Sequence, residues 1–292
     1  MKKVAVLGAS GQLGQSLYSL VNNSKAGFEF FTRDDVDITK KDNLERLFSS
    51  NQFRYCINCA AYTNVELSET NKDLAFLVNS KGVKNIAEAC HQYNVVLIHI
   101  STDYVFDGSG KVPYKTTDVT NPINEYGKSK LQGELNISEV FQNYYIIRTS
   151  WLYSEYGSNF LKTMLRLSTE RDQLGVVGDQ IGTPTYAKDL AETILHIIEN
   201  KFSNYGIYHY SNNGVATWYD FAKAIFDISG VEIQLENIST SQFTTRAKRP
   251  QFSVLNKKKT QINFKLRIPY WRDSLKKAIQ NLDNERLIRN SN

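Results

Sequence analysis

The first fourteen residues constrain the fold more strongly than any other part of the chain. A short apolar run at residues 4–7 ends in a Gly-x-x-Gly-x-x-Gly turn, and a helical pattern follows. A strand, a glycine-rich turn and a helix in this order are the context that a dinucleotide site requires. Gly8 allows the tight turn, Gly11 lets the backbone approach a pyrophosphate, and Gly14 lets helix and strand pack closely. The free amides at the start of the helix then point toward the phosphates.

Strands and helices alternate through the first half of the chain. Apolar runs typical of strands, with helical patterns between them, lie at residues 4–7, 28–32, 55–58, 95–101 and 144–149. Alternation of this kind predicts an α/β fold with a Rossmann-type doubly wound parallel sheet, covered by helices on both faces. The pattern loosens after residue 149. We therefore expect a nucleotide-binding domain at residues 1–150 and a smaller C-terminal lobe at residues 151–292.

Several strand ends should meet at one crevice. The predicted third strand is followed by Ala60 and Ala61, and the fourth runs through Ser101 into Thr102. In an open parallel sheet, ligands bind beyond the carboxyl ends of the strands. Small alanines would let a cofactor lie against the backbone, although Ala-Ala is also ordinary core filling. We expect Ser101, rather than Thr102, to cap the turn after the fourth strand.

Tyr126 and Lys130 are four residues apart, which places both side chains on one face of a helix. A free phenol has a pKa of about 10. A neighbouring ammonium lowers that pKa, toward the range in which general acid–base catalysis is efficient. Alone, the pattern is more often an ordinary surface pair. Together with the upstream features, it predicts that Tyr126 donates a proton and that Lys130 lowers its pKa.

Composition narrows the classes of ligand. The 292 residues carry a net charge of +5, which fits anionic small molecules and equally an ordinary solvated surface. The basic run at residues 257–259 is interpreted as a solvated face, so we expect no nucleic-acid partner. Cys56-x-x-Cys59 has the spacing of a redox or metal pair, but no histidine cluster accompanies it. We expect buried thiols in a reducing cytoplasm and no metal site. No segment approaches the ~20 apolar residues that cross a membrane.

Seven segments together resemble the extended short-chain dehydrogenase/reductase superfamily and, within it, the dTDP-4-dehydrorhamnose reductases. They cover nearly the whole chain in order, at residues 11–14, 58–63, 101–108, 126–134, 148–153, 178–185 and 249–255. The segments most specific to this branch are Ser-Thr-Asp-Tyr-Val-Phe-Asp-Gly at 101–108 and Gly-Thr-Pro-Thr at 182–185.

The resemblance implies reduction of the C4 ketone of a dTDP-linked 4-keto-6-deoxy sugar by NADPH or NADH. It also implies that the C-terminal lobe mainly binds substrate and that the chain returns to the nucleotide domain near residues 186–211. Tyr126, Lys130 and Thr102 would be catalytic. The predicted cofactor-binding residues are Gly8, Gly11, Gln12, Leu13, Gly14, Arg33, Asp37, Ile38, Ala60, Ala61, Tyr62, Tyr126 and Lys130. The predicted substrate-binding residues are Thr102, Asp103, Trp151 and Arg249.

Cofactor preference depends on the end of the predicted second strand. An acidic residue there would bind the adenosine ribose of NAD, whereas an arginine would accept the 2′-phosphate of NADP. The sequence Thr-Arg-Asp-Asp at residues 32–35 offers both signs of charge. We expect use of both cofactors, with some preference for NADPH. Asp37 and Ile38 match the family segment that flanks the adenine.

Two departures from the family pattern stand out. Residues 66–69 replace the usual Asp-x-Ala-Glu, in a segment that we expect to lie off the reacting centre. Ser16 stands where some relatives carry an acidic residue that helps to bind magnesium at a dimer contact. We therefore expect a monomer or a weak homodimer.

Other functions on the same fold remain open at this stage. A dehydratase generally carries Asp-Glu after the threonine, but Asp103 is followed by Tyr104. An epimerase would recycle a tightly held NAD. A non-catalytic regulatory subunit would bind NADP without needing Thr102, Tyr126 and Lys130 together. The nucleotide base and the stereochemistry at C4, rhamnose or talose, are also open.

Overall fold

The computed structural model describes residues 3–21 and 27–290, with side chains described as far as residue 283. Within these ranges the strands are β1 (Lys3–Leu7), β2 (Gly27–Phe31), β3 (Phe53–Asn58), β4 (Val96–Thr102), β5 (Tyr144–Thr149), β6 (Leu152–Tyr153), β7 (Gln173–Val177), β8 (Ile181–Gly182), β9 (Thr185–Tyr186), β10 (Gly206–His209), β11 (Ala216–Thr217) and β12 (Gln234–Ile238).

The helices of the same ranges are α1 (Gln12–Leu20), α2 (Lys41–Ser49), α3 (Val65–Ser68), α4 (Lys72–Phe76), α5 (Val83–Gln92), α6 (Glu125–Val140), α7 (Phe160–Leu167), α8 (Ala187–Asn200), α9 (Trp218–Ser229), α10 (Lys258–Phe264) and α11 (Trp271–Asn290).

The main sheet has six parallel strands in the order β10-β5-β4-β3-β1-β2. The chain runs outward from β1 to β2 and then returns to β3 on the other side of β1. A crevice forms where the strand order reverses, outside the carboxyl ends of the strands. The predicted α/β fold with a Rossmann-type parallel sheet is confirmed.

Alternation along the strands produces an apolar layer on each face of the sheet. In β1, Val4 and Val6 face the layer that contains Leu17 of α1 and Ile194 of α8. Ala5 and Leu7 point to the opposite layer, with α2 and α5. Burial on both faces is typical of parallel strands, which read as continuous apolar runs.

The chain returns to the main sheet after the second lobe has begun. Helix α8 packs in the same layer as α1, and β10 pairs with β5 in parallel. The C-terminal lobe has its own apolar core around Tyr153, Leu161, Phe221 and Leu275. The limit at residue 150 between the two parts remains a prediction.

The long helix predicted between the third and fourth strands is interrupted. A π-helical segment, Leu77–Gly82, separates α4 from α5. Its Asn79 accepts from the amide of Tyr62 at 2.8 Å and donates to the Tyr62 carbonyl at 2.9 Å. On the other side, a Cβ on Gly133 of α6 would lie 2.2 Å from the Asn79 carbonyl oxygen. The π segment thus fixes the loop after β3 while α6 approaches closely. Such segments are frequent at functional sites.

Candidate active site

A cavity of about 530 Å³ lies at the carboxyl ends of the central strands, and we call it the main cavity. It is open to both lobes. The predicted site residues that line it are Gly11, Gln12, Leu13, Ala61, Thr102, Asp103, Tyr126, Lys130 and Trp151. The predicted residues outside its wall are Gly8, Gly14, Arg33, Asp37, Ile38, Ala60, Tyr62 and Arg249. The strand ends and the start of α6 therefore do meet at one place.

The glycine turn leaves no room for side chains at two of its three positions. A Cβ on Gly8, which has φ +80°, would lie 2.5 Å from the amide nitrogen of Ala60. A Cβ on Gly14 would lie 2.6 Å from the Gly8 carbonyl oxygen. Gly11 is different, because its nearest such contact is an ordinary 3.4 Å. Space at Gly11 is therefore open toward the cavity.

The start of α1 suits a diphosphate. Gly11 caps the helix without a side-chain hydrogen bond, and the first turn holds no acidic residue. The first amides of a helix lack intrahelical acceptors, and the helix dipole favours an anion there. A cradle that side chains would fill, beside free amides and no competing carboxylate, fits a nicotinamide dinucleotide.

The end of β2 places charges near the glycine turn. The amides of Gly8 and Ala9 both donate to the Phe31 carbonyl at 3.0 Å, which ties the turn to β2. Asp35 folds back on Thr32, accepting from its amide at 2.8 Å and its hydroxyl at 2.7 Å. Arg33 is exposed between them. Of the two neighbouring carboxylates, that of Asp35 is thus hydrogen-bonded to Thr32, while the Arg33 guanidinium remains available to solvent.

Asp37 and Ile38 have mainly local partners. The Asp37 carboxylate accepts from the amide and hydroxyl of Thr39 at 3.0 and 2.7 Å. These bonds, with the charges of Arg33 and Lys40, keep its pKa low although burial opposes them. Ile38 is buried against Gly82. Both residues hold the loop after β2 in place.

Tyr126 lies at the start of α6, where Asn124 caps the helix by accepting from the Gly127 amide at 2.7 Å. The Tyr126 ring meets the edge of Tyr104, with centroids 6.0 Å apart. Burial raises the pKa of Tyr126 to about 12, and a hydrogen bond with Thr102 opposes that rise. The net shift is thus upward in the cofactor-free protein, and the expectation that Lys130 lowers the pKa of this phenol stays a prediction.

Lys130 is 2% exposed and its amine has other partners. The Nζ atom donates to the Ile100 carbonyl at 2.7 Å and lies 3.3 Å from Nε2 of His99. Burial lowers the pKa of Lys130 to about 8, against the opposing charge of Glu134. The amine thus reaches the cavity wall from a largely dry environment.

Thr102, and not Ser101, caps the turn after β4. The Thr102 hydroxyl accepts from the Tyr104 amide at 3.2 Å and donates to Asp103 at 3.1 Å. Ser101 instead donates to Glu134 at 2.5 Å. The sequence-based assignment of the cap to Ser101 is wrong, because a buried carboxylate from α6 engages the Ser101 hydroxyl.

Asp103 is nearly fully buried beside the phenol. Burial raises its pKa to about 7, although hydrogen bonds from Ser253 and Thr102 oppose this shift. Its Oδ2 atom has no hydrogen-bond partner within the described residues. Asp103 therefore changes charge in the neutral pH range, within reach of the candidate catalytic groups.

Trp151 forms the wall on the side of the C-terminal lobe in an unusual conformation. Its φ is +48°, which is uncommon for a residue with a side chain. The ring stacks on Trp218, with centroids 3.6 Å apart and planes 9° apart. A Cβ on Gly182 would lie 2.6 Å from the Trp151 ring, so a glycine is needed behind it.

Comparison with known proteins agrees with this geometry. The family model described as RmlD substrate binding domain matches residues 1–284. The dTDP-4-dehydrorhamnose reductase of Aggregatibacter actinomycetemcomitans is 42% identical over 287 residues, covering 94% of this chain and 98% of that protein. This chain belongs to the dTDP-4-dehydrorhamnose reductase family.

Solved structures extend the family likeness. The dTDP-4-dehydrorhamnose reductase of Bacillus anthracis, crystallised in complex with NADP, is 39% identical with a TM-score of 0.93, covering 96% of this chain and 100% of that chain. A UDP-glucose 4-epimerase from Thermus thermophilus in complex with NAD is only 18% identical, with a TM-score of 0.82 and coverage of 96% and 99%. The second likeness concerns the fold alone.

Residues that the motifs did not single out complete the site of this dTDP-4-dehydrorhamnose reductase family member. Trp218 is one of them, and its only sequence signal is a position directly after Thr217, which forms a capping box with Asp220. Behind the site, Arg148 donates to both carboxylate oxygens of Glu134, at 3.0 and 2.6 Å. Buried ion pairs of this kind are costly to break on one side.

Arg249, a predicted substrate residue, lies beside a second cavity of about 440 Å³ that shares Trp218 with the main cavity. Its Nη2 atom forms an ion pair with the Glu66 carboxylate at 2.5 Å. Glu66 also accepts from the Arg246 amide at 2.8 Å. The departure at residues 66–69 therefore contacts a candidate substrate residue of the family, and its Glu69 accepts from the Glu125 amide beside Tyr126 at 2.9 Å.

Gln12 connects the two lobes of this family member. Its side-chain oxygen accepts from Ser154 and from Asn159, both at 2.9 Å. Asn159 also caps α7, accepting from the Lys162 amide at 3.2 Å. The first residue of α1 thus holds the loop that enters the C-terminal lobe.

Proposed function

We propose that this protein is an oxidoreductase that uses NADPH or NADH to reduce the C4 ketone of dTDP-4-dehydro-L-rhamnose to dTDP-L-rhamnose, a step of cell-surface polysaccharide synthesis. The observation that supports it most is that Tyr126, Thr102 and Lys130 line the same cavity as the glycine turn. The names of the most similar relatives support the substrate, and the NADP complex of one of them supports the cofactor.

Several residues would hold the cofactor. The free amides of α1 at Gln12, Leu13 and Gly14 would bind its diphosphate, and Ala61 would allow it to lie against the backbone. Arg33 would bind the adenosine ribose side of the cofactor, and Lys130 would hydrogen-bond the nicotinamide ribose. When bound, the reduced nicotinamide supplies a hydride to the C4 carbonyl carbon of the sugar.

Tyr126 supplies the proton. Because burial raises its pKa to about 12, the phenol is fully protonated at neutral pH. An alkoxide is more basic than a phenolate, so the proton moves from the Tyr126 hydroxyl to the oxygen at C4 as that oxygen gains charge. Thr102 orients this oxygen, and Trp151 packs against the sugar. Arg249 pairs with the diphosphate of the substrate, since guanidinium groups bind such oxyanions in a bidentate way.

The test follows the absorbance of the reduced nicotinamide with dTDP-4-dehydro-L-rhamnose. Tyr126→Phe removes the proton and should lower kcat roughly 10²–10⁴-fold. Tyr153→Phe is a matched control, because Tyr153 is buried outside the main cavity and its hydroxyl has no hydrogen-bond partner within the described residues. The control should keep native activity.

Near-native turnover in Tyr126→Phe would refute the assignment of the proton donor. A protein that holds oxidised NAD after purification and consumes no added NADPH would instead be an epimerase. Analysis of the product by NMR separates the rhamnose from its C4 epimer, talose.

We further propose that the protein acts in the cytoplasm as a monomer or weak homodimer, without a metal ion. Ser16 is 1% exposed and donates to the Gln12 carbonyl at 2.9 Å, so its side chain faces the protein interior and not a partner. Across residues 3–21 and 27–290, no helix is long and apolar enough to cross a membrane. Sedimentation with and without Mg²⁺ tests the oligomeric state, and a magnesium-dependent dimer would contradict this part of the proposal.

A further inference from the structure

A chain of buried polar groups leads from the loop after β3 to the amine of Lys130. Its members are Asn58 at the end of β3, His99 in β4 and Lys130 in α6, which are 1%, 0% and 2% exposed. The Asn58 amide nitrogen lies 3.0 Å from Nδ1 of His99, and Nε2 of His99 lies 3.3 Å from Nζ of Lys130. Because all three side chains are almost fully buried, their hydrogen bonds must be made mainly with one another and with neighbouring protein groups.

The orientation of the Asn58 amide is fixed by the backbone. The Ala60 amide donates to the Asn58 side-chain oxygen at 3.0 Å. A backbone amide is only a donor, so the oxygen of Asn58 must face Ala60 and the NH₂ group must face His99. Nδ1 of His99 is therefore an acceptor, and the hydrogen of the neutral imidazole must be on Nε2.

The tautomer of His99 determines which protonation state of Lys130 can form a hydrogen bond with the imidazole. The Nε2–H group of His99 points at Nζ of Lys130, which also donates to the Ile100 carbonyl at 2.7 Å. A neutral amine can donate one hydrogen to Ile100 and accept the imidazole hydrogen with its lone pair. An ammonium has three donors and no acceptor, so it would face the imidazole N–H without a bond.

We propose that Asn58 and His99 are positioning residues that favour the neutral amine of Lys130 over the ammonium in the cofactor-free protein. The inference rests on the proposed function only in placing Lys130 at the cofactor. Protonation of Lys130 requires the other imidazole tautomer, whose Nδ1–H then faces the NH₂ group of Asn58. To avoid two donors facing each other, the Asn58 side-chain amide must turn. The Ala60 amide beside Gly8 then loses its hydrogen-bond acceptor. The charge of Lys130 is thereby coupled to the backbone that borders the dinucleotide turn.

The charged and titratable groups around the lysine fit this state. From the segment after β3, the thiol of Cys59 has a pKa raised by burial and is uncharged. From α6, Glu134 is already paired with Arg148 of β5 and bound by Ser101. From β4, burial holds the pKa of His99 well below its ordinary value, so the imidazole is neutral.

Nitrogen NMR of ¹⁵N-histidine-labelled protein tests the tautomer with Asn58, His99 and Lys130 all native. Long-range proton–nitrogen correlations show which ring nitrogen carries the hydrogen. The His99 signal is assigned by elimination with variants of His91, His196 and His209. We expect the Nε2–H form in the native protein. A native Nδ1–H form, or an imidazolium, would overturn the inference.

Two variants of Asn58 test the coupling. In Asn58→Asp the carboxylate accepts from His99, so the tautomer should switch to Nδ1–H. In Asn58→Leu, which adds no charge, the imidazole is released and the proton affinity of Lys130 should rise about tenfold, one pH unit. The titration is read from the Cε signal of ¹³C-lysine, assigned with Lys130→Met.

His209→Phe is the control, because His209 is 0% exposed and bonds to the Tyr114 carbonyl, away from Lys130. It should leave the lysine titration unchanged. An unchanged titration and tautomer in Asn58→Leu would overturn the role of Asn58. All these signals are read without substrate, so a failed reduction assay beside the expected spectra would refute the proposed function alone.

Discussion

Tyr126 keeps its hydrogen because the protein around it disfavours a phenolate. The raised pKa follows from burial beside Tyr104 and Asp103, and the lysine on the same helix face has turned to other partners. A proton donor with this pKa is a poor base, which suits reduction better than the reverse oxidation. In the proposed reaction, the cofactor-free protein is thus set to protonate an oxygen that becomes strongly basic only as the hydride arrives.

Asp103 makes stability depend on pH. Its pKa is about 7 in the folded protein, above the ordinary 3.8 of the unfolded chain. Its protonated form therefore favours the fold below pH 4, and this contribution is lost as the pH rises through 7. We expect Asp103→Asn to raise the free energy of unfolding at pH 8 by at most about 4 kcal/mol and to match the native protein near pH 4.

Urea unfolding at pH 4, 6 and 8 measures this effect. Asp107→Asn is the control, because hydrogen bonds from Ser109 lower the pKa of Asp107. Its effect should have the opposite sign, with stability lost at pH 8. A gain in Asp103→Asn that is equal at all three pH values would contradict a titrating carboxyl group.

Arg33 should determine the preference for NADPH. It is exposed after β2, and the neighbouring Asp35 is occupied by Thr32. We expect Arg33→Ala to raise the KM for NADPH about tenfold, a loss of about 1.4 kcal/mol, while the KM for NADH stays nearly constant. Steady-state kinetics with both cofactors measure this, with the exposed Arg54→Ala as control. An equal rise in the KM values for both cofactors would show that Arg33 does not determine the preference for NADPH.

At single residues, the sequence predicted the positions of side chains better than their protonation states. The glycine turn was predictable because Gly8 and Gly14 have a steric reason that local spacing reveals. The pKa of Tyr126 was not, since the partners of Lys130, His99 and the Ile100 carbonyl, come from a strand some 30 residues away. Helical spacing indicates that two side chains share a face, but not which third group one of them binds.

Helix α3 is joined to the segment that carries Arg249. Glu66 binds the Arg249 guanidinium and the Arg246 amide, while Asn124 at the start of α6 donates to the Lys248 carbonyl at 2.8 Å. The segment 246–249 is thus held between α3 and the helix that carries Tyr126. In the absence of substrate, the Glu66 carboxylate is paired with Arg249, the cation proposed to bind the diphosphate.

Removing that carboxylate should strengthen nucleotide binding. In Glu66→Gln the amide oxygen still accepts from Arg246, but the charge that competes with the diphosphate is lost. We expect the Kd for dTDP to fall about twofold to fivefold, the range of a partly exposed charge pair. Calorimetry measures it, and Glu69→Gln on the same turn is the control. Weaker binding in Glu66→Gln would show that the ion pair orients Arg249 for its ligand.

Element boundaries were predictable where periodicity is simple. Strands β1, β3 and β5 follow their apolar runs closely. The π segment at 77–82 was not predictable, because its sequence continues the helical pattern on both sides. It is specified by Asn79, whose side chain binds Tyr62, and by the close approach of Gly133. Those contacts are tertiary and leave no mark on local spacing.

At the scale of the molecule, Gln12 connects the glycine turn with the C-terminal lobe. It begins the helix whose amides are proposed to receive the diphosphate, and its side chain holds Ser154 and Asn159. We expect bound NADPH to slow hydrogen exchange in residues 154–162, because it fixes Gln12. In Gln12→Ala this slowing should disappear even with saturating NADPH. Gln15→Ala should behave as native, because the Gln15 side chain donates to the Ser10 carbonyl close to its own helix. Equal slowing in Gln12→Ala would refute the connection.

The whole fold was only partly readable from local patterns. The alternation up to residue 149 predicted the first five strands of the sheet. The sixth, β10, lies beside β5 after a stretch of more than 50 residues, and only the family resemblance pointed to that return. Long-range pairing depends on which apolar layer α8 completes, and neighbouring residues do not encode this.

The left-handed backbone at Trp151 bears on attempts to broaden the range of accepted sugars. Any side chain placed there inherits the same backbone cost, of order 1–3 kcal/mol, and only glycine escapes it while leaving a hole behind Trp218. Gly182 lies directly behind the Trp151 ring and leaves no room for a larger side chain at position 151. Libraries that aim at new sugars should therefore vary Trp218, whose helix has ordinary geometry, and leave position 151 untouched.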